Sequence, residues 1–177
     1  NEIFCASNVN DVLTRFISTG KLEPKETIPS VAPSMDIQIP SSLERLIYNF
    51  EGDASSFYDQ LQNEKIAKLS EESVVKLQNI FSSLSFNDEM ILKEIDLFYK
   101  NYGWVIDPHT ATALSSSVTF SSTLPVVGVA TASPEKFSDV ISKTIDEFRV
   151  ESTKNEEKYF VQKANSSLVE NTIKECL

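Results

Sequence analysis

Two short apolar runs in this chain each give way, within a few residues, to a helix start. That pairing constrains the fold more than any other feature. Ile3–Ala6 reads as a buried strand, followed by Asn8 or Asn10 as the cap of a helix with Val12, Leu13, Phe16 and Ile17 on one face. Leu124–Thr131, which holds Val126, Val127 and Val129, reads as a buried parallel strand. Ser133 and Pro134 then open a helix whose apolar face is Phe137, Val140, Ile141, Ile145 and Phe148. A strand without polar alternation needs cover on both sheet faces, which is the habit of parallel sheets. Strand followed by helix, repeated, predicts an α/β fold with few parallel strands and many helices.

The chain between these two units is mostly helical in pattern. Gly20 stops the first helix, and Pro24, Pro29, Pro33 and Pro40 make regular structure improbable over 21–41. Ser42 opens a helix with Leu43, Leu46, Ile47 and Phe50 at helical spacing. Residues 54–102 read as two or three amphipathic helices. Ser70 caps a stripe of Val74, Leu77, Ile80 and Phe81. Asn87 caps another of Ile91, Leu92, Ile95 and Phe98, and Gly103 is its stop. These stripes are packing faces. Trp104–Ile106 is a short extended piece, and Pro108 takes the first turn of a helix through Thr110, Ala113 and Leu114. Residues 149–165 are polar, and a last helix carries Leu168, Val169 and Ile173. The expected organisation is a strand, helix and proline-rich loop over 1–53, a helical insertion over 54–103, a helix–strand–helix unit over 104–148, and a polar linker with a terminal helix over 149–177.

At 177 residues with 41% apolar content, the chain can bury one ordinary core. Its net charge of −10 argues against nucleic acid and anionic membranes as partners, since neither would meet a basic patch. No apolar run approaches membrane-spanning length. Cys5 and Cys176 do not make a disulfide framework, so a reducing, cytoplasmic setting is expected, with a plastid left open. Asn1–Ser7 reads as a strand already under way, so the chain is expected to be the remainder of a larger protein whose N-terminal part is its partner.

Residues with chemical potential gather at the strand-to-helix turns. Thr131 ends a strand at the carboxyl edge, where open parallel sheets bind ligands; the plainer reading is that it merely ends the strand. His109, the single histidine, lies just inside a helix start, a position that favours nearby anions. The rival reading is a helix-start histidine making local hydrogen bonds. One histidine makes no metal site. Asn8, Asn10 and Asp11 can present amides and a carboxylate at the sheet edge or simply cap a helix. Ser34, Met35 and Asp36 sit in the proline-rich loop, and Arg15 suits a structural salt bridge.

Four ordered segments carry a resemblance: Asn8-Val9-Asn10-Asp11 leading to Arg15-Phe16, Pro33-Ser34-Met35-Asp36, Asp107-Pro108-His109-Thr110-Ala111, and Thr131-Ala132-Ser133-Pro134-Glu135-Lys136-Phe137. Together they resemble the C-terminal portion of threonine synthase, a pyridoxal 5'-phosphate (PLP) enzyme. The resemblance implies part of a fold-type-II PLP-enzyme architecture, tryptophan-synthase-β-like. It implies conversion of O-phospho-L-homoserine and water to L-threonine and phosphate in the complete protein. By the same resemblance the Thr131 hydroxyl would hydrogen-bond the pyridine nitrogen of PLP. A hydroxyl there suits a neutral ring, whereas a carboxylate would keep it protonated. Asn8, Asn10, Asp11, Ser34, Met35, Asp36, His109 and Thr110 would line the substrate side. Ser133 stands where the family usually has histidine, and Glu135 where it usually has alanine.

Other parts of that chemistry have no counterpart here. A PLP enzyme needs a Schiff-base lysine, and no lysine has the family's setting. Its phosphate is held by a glycine-rich turn, yet the four glycines, Gly20, Gly52, Gly103 and Gly128, are scattered. The piece alone is therefore expected to be inactive. The competing reading is a non-catalytic α/β interaction or regulatory module derived from the same family.

Overall fold

The computed structural model describes residues 3–115, 125–149 and 165–176. Strand β1 (Ile3–Ser7) is followed by helix α1 (Val12–Thr19) and the two-residue strand β2 (Lys21–Leu22). An irregular stretch with one 3₁₀ turn (Pro33–Met35) leads to α2 (Leu43–Glu51), α3 (Ser55–Glu64) and β3 (Ala67–Lys68). Then come α4 (Glu71–Ile80), β4 (Phe81–Ser85), α5 (Asp88–Tyr102) and α6 (Pro108–Ser115). A second 3₁₀ turn (Pro134–Phe137) runs into the short α7 (Ser138–Ile141), and α8 (Ser166–Cys176) closes the order. This is an α/β arrangement with few strands and many helices.

β1 and β4 pair in parallel, from Ile3 opposite Phe81 to Ser7 opposite Ser85. β2 and β3 form a small antiparallel ladder. Successive strand side chains point to opposite faces, and β1 uses this to divide the interior. Cys5 packs on one cluster, built from Phe16, Leu22, Ile47, Phe57, Leu61 and Leu77. Its neighbours Phe4 and Ala6 pack on the other, built from Phe86, Ile91, Ile95, Ile106, Ile141 and Ile145. One short strand is thus a septum between two cores. Burial pushes the Cys5 thiol pKa up, in keeping with its packing against the first cluster.

Several expected stops and caps are present. Ser70 Oγ accepts from Ser73 N, and Asn87 Oδ1 from Met90 N. Gly20 closes α1 at φ +69°, and a Cβ there would lie 2.2 Å from Val74 Cγ2, so the position demands glycine on two counts. Other expectations fail. Asn8 and Asn10 do not cap α1, whose N-cap is Asp11 without a side-chain bond. Their amides are spent on other parts of the chain. Ile80 and Phe81 do not share one helical stripe, because the backbone turns extended at Phe81 to start β4. A parallel partner in β1 decides that change, and a local pattern does not reveal it. The helix after Pro134 is also broken: it passes from the 3₁₀ turn to α7 and then into turns, although Ile141 and Ile145 stay buried.

The largest correction concerns Leu124–Thr131. Leu124 lies outside the described residues, and 125–131 is neither a strand nor buried. Val126, Val127 and Val129 are 56%, 83% and 70% exposed. A parallel strand needs a neighbour for its N–H and C=O groups, and no described strand pairs with this segment. It comes close to α6, where a Cβ on Gly128 would meet Leu114 Cδ2 at 2.9 Å. The polar residues 150–164 lie outside the described residues.

Candidate functional site

The turn between β1 and α1 holds Asn8, fully buried, and Asn10, nearly so. Asn8 Oδ1 accepts from Asn10 N at 2.9 Å, which tightens the turn. Asn8 Nδ2 donates to Ser30 Oγ at 2.7 Å, Asp36 Oδ1 at 2.7 Å and Ala32 O at 3.2 Å. Asn10 copies a strand neighbour: its Oδ1 accepts from Ile28 N and its Nδ2 donates to Ile28 O, both at 2.8 Å. Asn10 Nδ2 also reaches Asp36 Oδ1 at 3.0 Å. Asp36 in turn accepts from Ser30 Oγ at 2.7 Å and Ser30 N at 3.0 Å. Three residues chosen from two separate segments, Asn8, Asn10 and Asp36, therefore form one network that pins the proline-rich stretch to the sheet edge.

The other side of that stretch is held by α6. Asp107 precedes it, 1% exposed by its side chain, and acts as its cap. Its Oδ1 accepts from His109 N at 2.9 Å and Thr110 N at 3.4 Å. Its Oδ2 accepts from Thr110 Oγ1. Burial pushes the Asp107 pKa up, but the hydrogen bonds from His109 and Thr110 outweigh it and hold the carboxyl below its ordinary value. His109 Nδ1 lies 2.9 Å from Asp107 Oδ1, and Ser34 N donates to His109 Nε2 at 3.1 Å. An Nε2 that accepts has no proton, so the ring is neutral and Nδ1–H donates to Asp107. The His109 ring also packs on Phe137, with centroids 4.6 Å apart.

These contacts string the four segments together: Asn8 and Asn10 to Asp36, Ser34 to His109, and His109 to Phe137. Met35 packs against the second core beside them. Asp11 stands apart, paired with Arg15 Nε at 2.9 Å. Arg15 Nη2 is buried with no hydrogen-bond partner among the described residues. Thr131 is exposed, and it takes part in no hydrogen bond among the described residues. Asp107 and Phe137 belong to the quoted segments but, like Ser30, were given no site role from sequence. An Asp directly before Pro at a helix start is a legible cap signal for the first of them.

Comparison with known proteins gives the arrangement a family context. No family model matches the chain. Threonine synthase of Pseudomonas aeruginosa is 32% identical over 149 residues, 81% of this chain and 32% of that protein. Human threonine synthase-like 1 is 30% identical over 172 residues, 93% of this chain and 23% of that protein. The crystal structure of PLP-bound threonine synthase from Brucella melitensis superposes with a TM-score of 0.75 at 30% identity, covering 81% of this chain and 32% of that one. The chain resembles a C-terminal portion of threonine synthase. The yeast threonine synthase structure, at 22% identity, supports the fold alone, with a TM-score of 0.77 over 98% of this chain and 42% of that one. The chain spans about a third or less of the length of the first curated threonine synthase relatives it matches, at 32% and 23%.

Whether these residues suit PLP can be tested on the threonine-synthase-like geometry itself. Every lysine among the described residues is exposed, unlike an amine held for a Schiff base. Gly20, Gly52 and Gly103 are left-handed helix C-caps, and Gly128 lies against Leu114, so none belongs to a phosphate-cradling turn. The described residues do not by themselves fit the cofactor. Among them there is also no group of acidic, histidine and cysteine side chains placed to hold a metal. No described helix is long and apolar enough to cross a membrane.

Proposed function

We propose that this chain serves as the C-terminal part of a threonine synthase, with PLP as cofactor, converting O-phospho-L-homoserine and water to L-threonine and phosphate. The observation that carries the reading is the physical linkage of the four segments through Asp36, His109 and Phe137.

In this reading the chain supplies one wall of the site, and the lysine and phosphate turn come from an N-terminal part of the same protein. The exposed hydroxyl of Thr131 is the cofactor-side contribution. The stretch carrying Ser34 and Asp36, with Asn8, Asn10, His109 and Thr110 behind or beside it, forms the substrate-side wall, and Asp11, paired with Arg15, stands at its margin. Most of those side chains are saturated by one another, so their contribution is to shape and hold that wall. Ser34, exposed, is the member left to face a substrate, while Met35 packs inward on the second core.

The test is phosphate release from O-phospho-L-homoserine with PLP present. The 177-residue chain should release none, and the full product of its gene should release phosphate. Release by the chain alone would overturn the incompleteness of the site. No release by the full product would overturn the enzyme reading in favour of an interaction module.

A further inference from the structure

We propose that His109 is a proton-sensitive latch that holds the Ser30–Asp36 stretch in place, releasing the Ser34 end of it when the ring gains a proton. The geometry leaves the ring no slack. It is buried, its Nδ1 is committed to Asp107 Oδ1 at 2.9 Å, and its Nε2 accepts from Ser34 N at 3.1 Å. Phe137 covers its face at 4.6 Å. A proton arriving at Nε2 turns an acceptor into a donor that points at another donor, while the Asp107 contact remains favourable. The bond to Ser34 N–H must then break. Histidine is the side chain whose charge ordinarily changes in the physiological range.

The segment just ahead of the stretch responds differently. Asn10 holds Ile28 through an amide that does not titrate. Several charged groups lie on the elements around the latch, among them the half-buried Glu94 of α5, the helix packed on α6. Asp107 faces the ring directly, and Asp36 lies two residues from Ser34 but is engaged by Asn8, Asn10 and Ser30. Asp88, at the start of α5, accepts from Val31 N. Glu135 and Lys136, beside Phe137, are exposed. β1 brings no charged side chain. Ile28, just ahead of the stretch, is therefore held by a neutral amide, and the Ser34 N–H by a titratable ring, while Asp36 is bonded to Asn8 and Asn10. That the released segment touches substrate rests on the proposed function; the latch itself does not.

The test uses the 177-residue chain and amide hydrogen exchange read by NMR across a pH series, alongside the His109 ring signals, which are unambiguous because the chain has one histidine. The Ser34 amide should lose about tenfold of its protection factor, roughly the worth of one hydrogen bond, with the midpoint of the His109 titration. The Ile28 amide should keep its protection through the same range. In His109→Gln, whose neutral side chain offers an oxygen near the Nε2 position, Ser34 protection should survive and become flat with pH. In His109→Ala it should be lost at every pH. The proposal is overturned if Ser34 protection ignores a titrating His109, if Ile28 is released together with Ser34, or if the ring stays neutral until the chain unfolds. A full product whose activity ignores these variants would remove the loop's role in the proposed reaction and leave the latch intact.

Discussion

The chain contains two turns with the same sequence signature and opposite fates. After β1, the turn at Asn8–Asp11 is buried, and each asparagine amide is bonded from both ends. After the valine run, the turn at Thr131–Ser133 is open, and the valines leading to it face solvent. Both begin as apolar runs followed by polar helix starts. What separates them is the neighbour. β1 has β4 beside it and a core on each face, whereas no described strand lies beside 125–131. A strand is a relation between segments, so an apolar run alone does not make one. In the proposed reading the first turn is finished within this chain, and the second is finished by polypeptide outside it.

The most forceful way to break this comparison is to remove Asn8. Asn8→Ala leaves Ser30, Ala32 and Asp36 without their shared donor in a buried place. A loss of about 2–4 kcal/mol is expected from the unpaired groups, read as the shift in urea midpoint of the chain. A change under about 0.5 kcal/mol, the size of an ordinary surface substitution, would show the network to be ornamental. Next in size is Gly20→Ala, at the end of the helix that the first turn launches. The left-handed backbone costs about 1–2 kcal/mol for a residue with a Cβ. Displacing Val74, which that Cβ would meet at 2.2 Å, adds to it.

Acid sharpens the comparison from the α6 side. Because folding lowers the Asp107 pKa, its carboxylate stabilises the chain at pH values above its ordinary pKa of about 3.9, and that stability is lost as pH falls from there through the lower folded value. Asp107→Asn should destabilise the chain near neutrality, and the gap from the parent should close in that acid window. A gap that is constant with pH would contradict the assignment. The smallest effects belong to the open turn. Thr131→Val and Val127→Ser should each change stability by no more than about 0.5 kcal/mol. A loss as large as that of Asn8→Ala would erase the contrast between the two turns.

Much of the fold was legible because it is local. Ser70 and Asn87 cap where a polar side chain precedes an apolar stripe, and Gly20 and Gly103 stop helices where a left-handed residue is needed. β4 was not legible, since Ile80 and Phe81 fit a helical stripe equally well until β1 lies alongside. The candidate site was legible as a set of segments but not as a set of bonds. Nothing at Asn8 announces that its amide will bridge to Asp36, 28 positions later. Nor does His109 announce that its acceptor is the backbone of Ser34. Those partners are fixed by the path of an irregular stretch, which sequence periodicity does not encode.

The account turns on whether the open turn is finished by other polypeptide, and hydrogen exchange at the amides of 126–131 tests it most directly. In the 177-residue chain these amides should exchange quickly, while those of β1 are protected. In the full product of the gene they should become as protected as β1, because a neighbouring strand takes their N–H groups. Equal, rapid exchange in both would contradict the account, leaving the valine run a surface segment and Thr131 without a site to complete.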